Sequence, residues 1–158
     1  MTGLLQSGGV TPGHVARWAT DGVLSDGGAG PYYQQSLAQI LQASFNTTVD
    51  QPLLLPPSLN AFWLTGIVVT NAPTSLTVAA GGFYPQAGKA GSPLVAAGQV
   101  YAGLTGVTLL MQPALTTYAS THRMSRLILP NWAIYLSLTT PQGIAATADV
   151  YVLGVPLA

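Results

Sequence analysis

Few side chains here could do chemistry, and their spacing argues against most of what they could do. Two histidines, His14 and His122, stand with four aspartates, no glutamate and no cysteine. A disulfide or thiolate metal site is impossible, and a zinc or iron centre would have to collect aspartates spread along the chain. Asp21-Gly22 and Asp26-Gly27-Gly28 put carboxylates in glycine-bearing loops, as calcium sites do, but lack alternating acidic positions and a closing glutamate. Asx-turns account for them. His122, Ser125 and Asp149 formally supply a nucleophilic triad, yet no Gly-x-Ser-x-Gly elbow presents a serine. Residues 82–90, Gly-Phe-Tyr-Pro-Gln-Ala-Gly-Lys-Ala, imitate a phosphate-binding loop. Five residues separate their glycines where four are needed, and Ala90 stands in place of the metal-binding hydroxyl. We therefore expect no catalytic residue, no cofactor and no metal, and a protein that is not an enzyme.

The composition points to assembly. Only 5% of the 158 residues are charged while 49% are hydrophobic, against about 25% charged in ordinary soluble domains. Thr, Ser, Gln, Asn and Gly must then cover much of the surface. The formal net charge is 0, which removes the long-range attraction that nucleic-acid binders and basic membrane binders use. The same neutrality does little to keep copies apart. No apolar run approaches the roughly 20 residues that span a bilayer. The N-terminus lacks a basic region followed by an apolar core, so the expectation is a soluble chain without a secretory signal. The sequon Asn46-Thr47-Thr48 is then incidental.

The elements are predicted in three parts. Residues 1–30, rich in Gly and small polar residues, read as an extended arm of turns and short extended pieces. Residues 31–46 read as a linking helix: Pro31 suits a first turn, Leu37, Ile40 and Leu41 recur at helical spacing, and Gln34, Gln35, Gln39 and Gln42 give a polar face. Residues 47–158 read as strands and turns, with Gly81-Gly82 at a bulge or bend, a Gly- and Pro-rich loop over 85–97, and shorter strands over 99–104, 107–111 and 115–118. The clearest strands lie in 127–140 and 146–155. In the first, Trp132, Ile134, Leu136 and Leu138 alternate with Tyr135, Ser137 and Thr139; in the second, Ala148, Val150 and Val152 alternate with Asp149, Tyr151 and Leu153. Pro141-Gln142-Gly143 suggests that they form a hairpin. The fold class is mostly β, a jelly-roll-like antiparallel β-sandwich preceded by the arm and one short helix.

Two surface features remain. Arg123 and Arg126 could anchor an interface through their planar forks, or lie on an exposed loop. Trp63, Tyr84, Tyr101 and Trp132 could stack on sugar rings, as in a lectin-like carbohydrate-binding module, although their place in apolar runs favours core packing.

Both ends of the chain carry a family resemblance. Val10-Thr11-Pro12-Gly13-His14 with Trp18 and Thr20-Asp21-Gly22-Val23 resembles the N-terminal segment of small virion proteins in tailed double-stranded DNA bacteriophages. Tyr135-Leu136-Ser137-Leu138-Thr139-Thr140 and Ala146-Thr147-Ala148-Asp149-Val150-Tyr151-Val152 look like the final strands of the same family, while the middle of the chain matches in style only. Among such proteins the size fits jelly-roll capsid cement (decoration) proteins, with a tail, baseplate or head-fibre base component as the alternative. The resemblance implies a virion protein made in the host cytoplasm and placed on the outer surface of the capsid. Its partners would be the major capsid protein and itself, as a homo-dimer or homo-trimer, with no nucleic acid and no membrane. Val10, Thr11, Pro12, His14, Arg17, Trp18, Asp21 and Val23 would form the capsid-binding arm, adding a strand or lying in a groove with the indole buried.

Overall fold

A computed structural model describes residues 5–6, 14–18, 23–29, 34–104, 106–121 and 123–157, and side chains within 34–104, 109–121 and 123–157. The chain divides into two compact units, Met1–Tyr33 and Gln34–Ala158. In the first, the short extended pieces are strands of a small sheet. β1 (Leu5–Gln6) runs parallel to β3 (Val23–Ala29), and β2 (His14–Trp18) runs antiparallel to β3 on its other side.

The second unit starts with a correction. Residues expected to form the linking helix are a strand, β4 (Gln35–Ser44), paired with the final strand of the chain, β11 (Thr147–Leu157). The reason lies in two bulges. Ala43 faces Ala148 but Ile40 faces Val150, and Ala38 faces Val152 but Ser36 faces Leu153, so β4 carries one extra residue in each interval. Each extra residue resets the two-residue alternation. Leu37, the half-buried Ile40 and Ala43 consequently turn inward at intervals of three, which imitates a helix. Pairing with β11 overrides the helix propensity of Leu, Ala and Gln, which is only tenths of a kcal/mol per residue.

The remaining elements are β5 (Gln51–Leu54), β6 (Ala61–Ala72), β7 (Ala80–Tyr84), β8 (Gly106–Met111), α1 (Thr117–Thr121), β9 (Arg123–Ser125) and β10 (Ala133–Thr140). One sheet has the order β4-β11-β6-β8, with β9 also on β6; the other has the order β5-β10-β7. Residues 95–101 lie along β7 through Val95 on Phe83 and Val100 on Ala80. Taken in chain order, the eight segments pair first with last (β4 with β11), second with seventh (β5 with β10), third with sixth (β6 with β8), and fourth with fifth (β7 with 95–101). This nesting is a long hairpin rolled on itself, the jelly roll. All pairings in this unit are antiparallel.

Two local expectations change. Residues 127–140 and 146–155 are not a hairpin, because β10 and β11 belong to different sheets. Their connection crosses between layers and is held inside by Gln142, whose Oε1 accepts from the amides of Val78 and Ala79 at 3.2 Å and whose Nε2 donates to Thr77 Oγ1 at 2.9 Å. Pro-Gln-Gly marks a turn, but a turn motif does not say in which sheet the chain resumes. The strand expected over 115–118 survives only as a bridge from Leu115 to Val95, after which α1 begins. Thr116 caps that helix through its hydroxyl, which accepts from the amide of Ala119.

A single core fills the sandwich. Phe62, Leu64, Ile67, Val69, Val150 and Val152 of one sheet meet Leu53, Phe83, Ile134, Leu136 and Leu138 of the other. Phe45 closes edge-on against Tyr101 with ring centres 5.1 Å apart. Each such side chain contributes about 1.5 to 3 kcal/mol by leaving water. Gly81 and Gly82 serve close approach: a Cβ on Gly81 would stand 2.5 Å from the Leu138 Cα, and one on Gly82 2.5 Å from the Val95 carbonyl oxygen. The bulge expected at this pair lies across from it, where Thr139 is the extra residue of β10.

Candidate functional site

Of the four aspartates in the sequence, the two with described side chains are both committed to structure. Asp50, just before β5, accepts from the Ser137 hydroxyl and from the Gly88 amide. The second bond decides the fate of the imitation phosphate loop, because the Gly88 N–H is already given to a carboxylate of the same chain. Nearby, burial and then the charge of Asp50 raise the Tyr84 phenol above its ordinary value. Burial, with a smaller contribution from Tyr84, does the same to Tyr101, whose hydroxyl donates to the Gly81 carbonyl at 3.2 Å.

Asp149 is buried in the other sheet. Its Oδ1 accepts from the Gln42 amide and its Oδ2 from Asn71 Nδ2, both at 2.8 Å. Gln42 and Asn71 each have a φ of 55°, a left-handed conformation costly for a side-chain-bearing residue. One carboxylate on β11 thus holds the bulge of β4 and the end of β6. The triad partners are not brought together: Ser125 lies opposite Ala61 and Asp149 opposite Thr70 on the same strand, roughly 30 Å apart at strand rise. His122 lies outside the described residues. Among the described residues no group of three or more His, Asp or Glu could hold a metal ion. No described helix is long and apolar enough to cross a membrane.

The two arginines differ. Arg126 is exposed, yet its guanidinium lies 4.6 Å from the centre of the Trp132 ring and its Nη2 donates to the Pro57 carbonyl at 3.2 Å. Trp132 has a φ of 52° and is fixed by its Nε1 bond to the Pro56 carbonyl at 2.8 Å and by edge-on contact with Phe62. Arg126 therefore braces a strained tryptophan. Arg123 is exposed on β9, opposite Trp63 of β6. Of the proposed arm residues, His14, Arg17 and Trp18 lie in β2 and Val23 in β3, with Arg17 opposite Ser25 and Trp18 opposite Leu24. Val10, Thr11, Pro12 and Asp21 lie outside the described residues.

Three of the four aromatics considered for sugar stacking are buried: Tyr84, Tyr101 and Trp132. Trp63 is 43% exposed and belongs to a larger feature that the sequence reading missed. On the outward side of the β4-β11-β6-β8 sheet, Tyr151 lies opposite Gln39 and Val68, Leu153 opposite Ser36 and Gly66, and Val155 opposite Trp63. Leu110 on β8, opposite Thr70, is 63% exposed, and Leu41 on β4 is 58% exposed. Apolar side chains thus run across the outward face of all four strands. The signal was present in β11, where Val150-Tyr151-Val152-Leu153-Gly154-Val155 is apolar at nearly every position. Strands buried on both faces read that way.

No known protein family matches this chain, and no characterised protein is similar to it in sequence.

Proposed function

We propose that this protein is a structural component of a tailed-phage particle, a cement (decoration) protein that binds the outside of the head, bridges major capsid subunits and associates with itself. The observation that carries the reading is the apolar, almost uncharged outward face of the β4-β11-β6-β8 sheet. Large exposed apolar patches on soluble domains mark interaction sites. The N-terminal segment supports the same role by its resemblance to virion proteins, and its strands offer edges for pairing with another chain. Several such segments on one oligomer would reinforce one another by effective concentration.

Copy number tests the proposal. Quantitative mass spectrometry of purified particles should find this chain at a simple fraction of the major capsid protein. A handful of copies would move it to the neck, tail or fibre base, and absence from particles would overturn the virion reading altogether. A chain lacking residues 1–30 should fold but no longer bind heads; binding that persists would remove the anchor role from that segment.

A further inference from the structure

The outward face of the β4-β11-β6-β8 sheet is built to be covered, and its charges indicate by what. Along β6, Arg123 marks the Ala61 end through its neighbour β9, and Asp149 marks the Thr70 end from β11. From pole to pole the face presents Trp63 and Val155 level with Arg123, the half-buried Leu153 and Tyr151 in the middle, and Leu110 level with Asp149, with neutral Gln39 and Thr65 beside them. Both Asp149 oxygens already accept hydrogen bonds, so covering this face would strand no unbonded carboxylate.

We propose that the occupant is a second copy of the same chain, laid face to face with its strands reversed about a two-fold axis. An isologous contact requires a patch that complements itself. A neutral apolar centre with opposite charges at its two ends does so in one orientation: the reversed one, which sets Arg123 of each copy over the Asp149 end of the other. The size agrees. Four strands over about eight residues present about 500 Å², so a pair would bury about 1,000 Å², where specific interfaces begin. The result is a third sheet-on-sheet layer between copies, packed like the sandwich interior at about 10 Å separation. Leu153, opposite Gly66 midway between the poles, lies near its centre, where binding energy concentrates. The inference names the surface for the self-association included in the proposed function and rests on that part of it alone.

Sedimentation analysis of the purified full-length chain, from low to high micromolar concentration, tests it without any particle. The wild-type chain should form dimers. Leu153→Lys should raise the dissociation constant about a hundredfold, with Leu110→Lys, at a more exposed position, as a second variant if the first fails to fold. Arg123→Glu should weaken the dimer severalfold, more at low salt than at high salt. Leu127→Lys, at a residue 92% exposed and off this face, should change nothing. A wild-type chain that stays monomeric, a trimer, or face variants that dimerise as tightly as wild type would overturn the proposal. Because the measurement uses isolated protein, its failure is distinguishable from absence of the chain from virions.

Discussion

The two outward faces of the sandwich differ in how far their polar groups are tied to the fold. On the β5-β10-β7 sheet, polar groups are tied to one another: Ser137 and the Gly88 amide on Asp50, Thr139 on the carbonyls of Ala80 and Ala97 at 3.2 Å, and Asn131 on the Tyr135 hydroxyl at 3.2 Å. The other sheet meets its surroundings with Trp63, Leu110, Tyr151 and Leu153. Apart from the exposed Leu54 and Val100, the first face is tied down by its own loops, so most of its energy is spent within the fold. The second has hydrophobic surface still available for burial. In a chain with so few charges, the two sheets thus differ in what they leave for a partner to bury.

Substitutions can break this comparison. The largest effect should come from Asp149→Ala, which removes the acceptor of the Gln42 amide and of Asn71 and leaves two left-handed residues without their brace. The expected loss is about 3 kcal/mol, read as a lower denaturation midpoint at unchanged slope. Asp50→Ala should cost about 2 kcal/mol and move the Tyr84 phenol back toward its ordinary value, which a phenolate absorbance titration reads. A loss as small as that of a surface substitution would show that the polar face is not a structural network.

Alkali should act through two buried phenols, Tyr84 of β7 and Tyr101 in the core. Tyr84 and Tyr101 have folded-state values above their unfolded ones, so their contribution is fully present below the unfolded value of about 10. It is lost as pH rises beyond that, because the unfolded chain then releases protons that the folded chain retains. Tyr101→Phe should flatten this decline in unfolding experiments. The smallest effect belongs to the apolar face: Trp63→Thr should change monomer stability by no more than about 0.5 kcal/mol, measured at concentrations too low for association. A large loss would mean that Trp63 serves the fold rather than a partner.

What the sequence disclosed follows from how local each feature is. The alternation in β10 and β11 was legible because both strands keep a period of two for most of their length, and with many turns it pointed to an antiparallel sandwich. The strand at Gln35–Ser44 was not, since its period is set by bulges whose cause is β11, more than a hundred residues away in the chain. The sheet change after β10 was equally hidden, depending on Gln142 finding the amides of Val78 and Ala79. The apolar face was not legible, because Trp63, Leu110 and Leu153 come to share one face only after three distant strands are aligned. The sequence leaves both arginines open between interface anchor and exposed loop, and neighbouring residues do not reveal that Arg126 is already stacked on Trp132.

The nested pairing also has a consequence in time. During synthesis the first strand of the sandwich emerges with its partner still untranslated, because β4 and β6 are joined only through β11, the last strand to appear. At roughly 5–20 residues per second, the interval lasts several seconds, and the sheet that carries the apolar face lacks its centre throughout. The domain therefore cannot close before β11 has been made, and the proposed pairing of copies through this face must wait until then. A prematurely terminated chain would lose the middle of a sheet rather than a rim, so truncation at this end would be removed as unfolded protein instead of accumulating as a shortened, assembly-competent subunit.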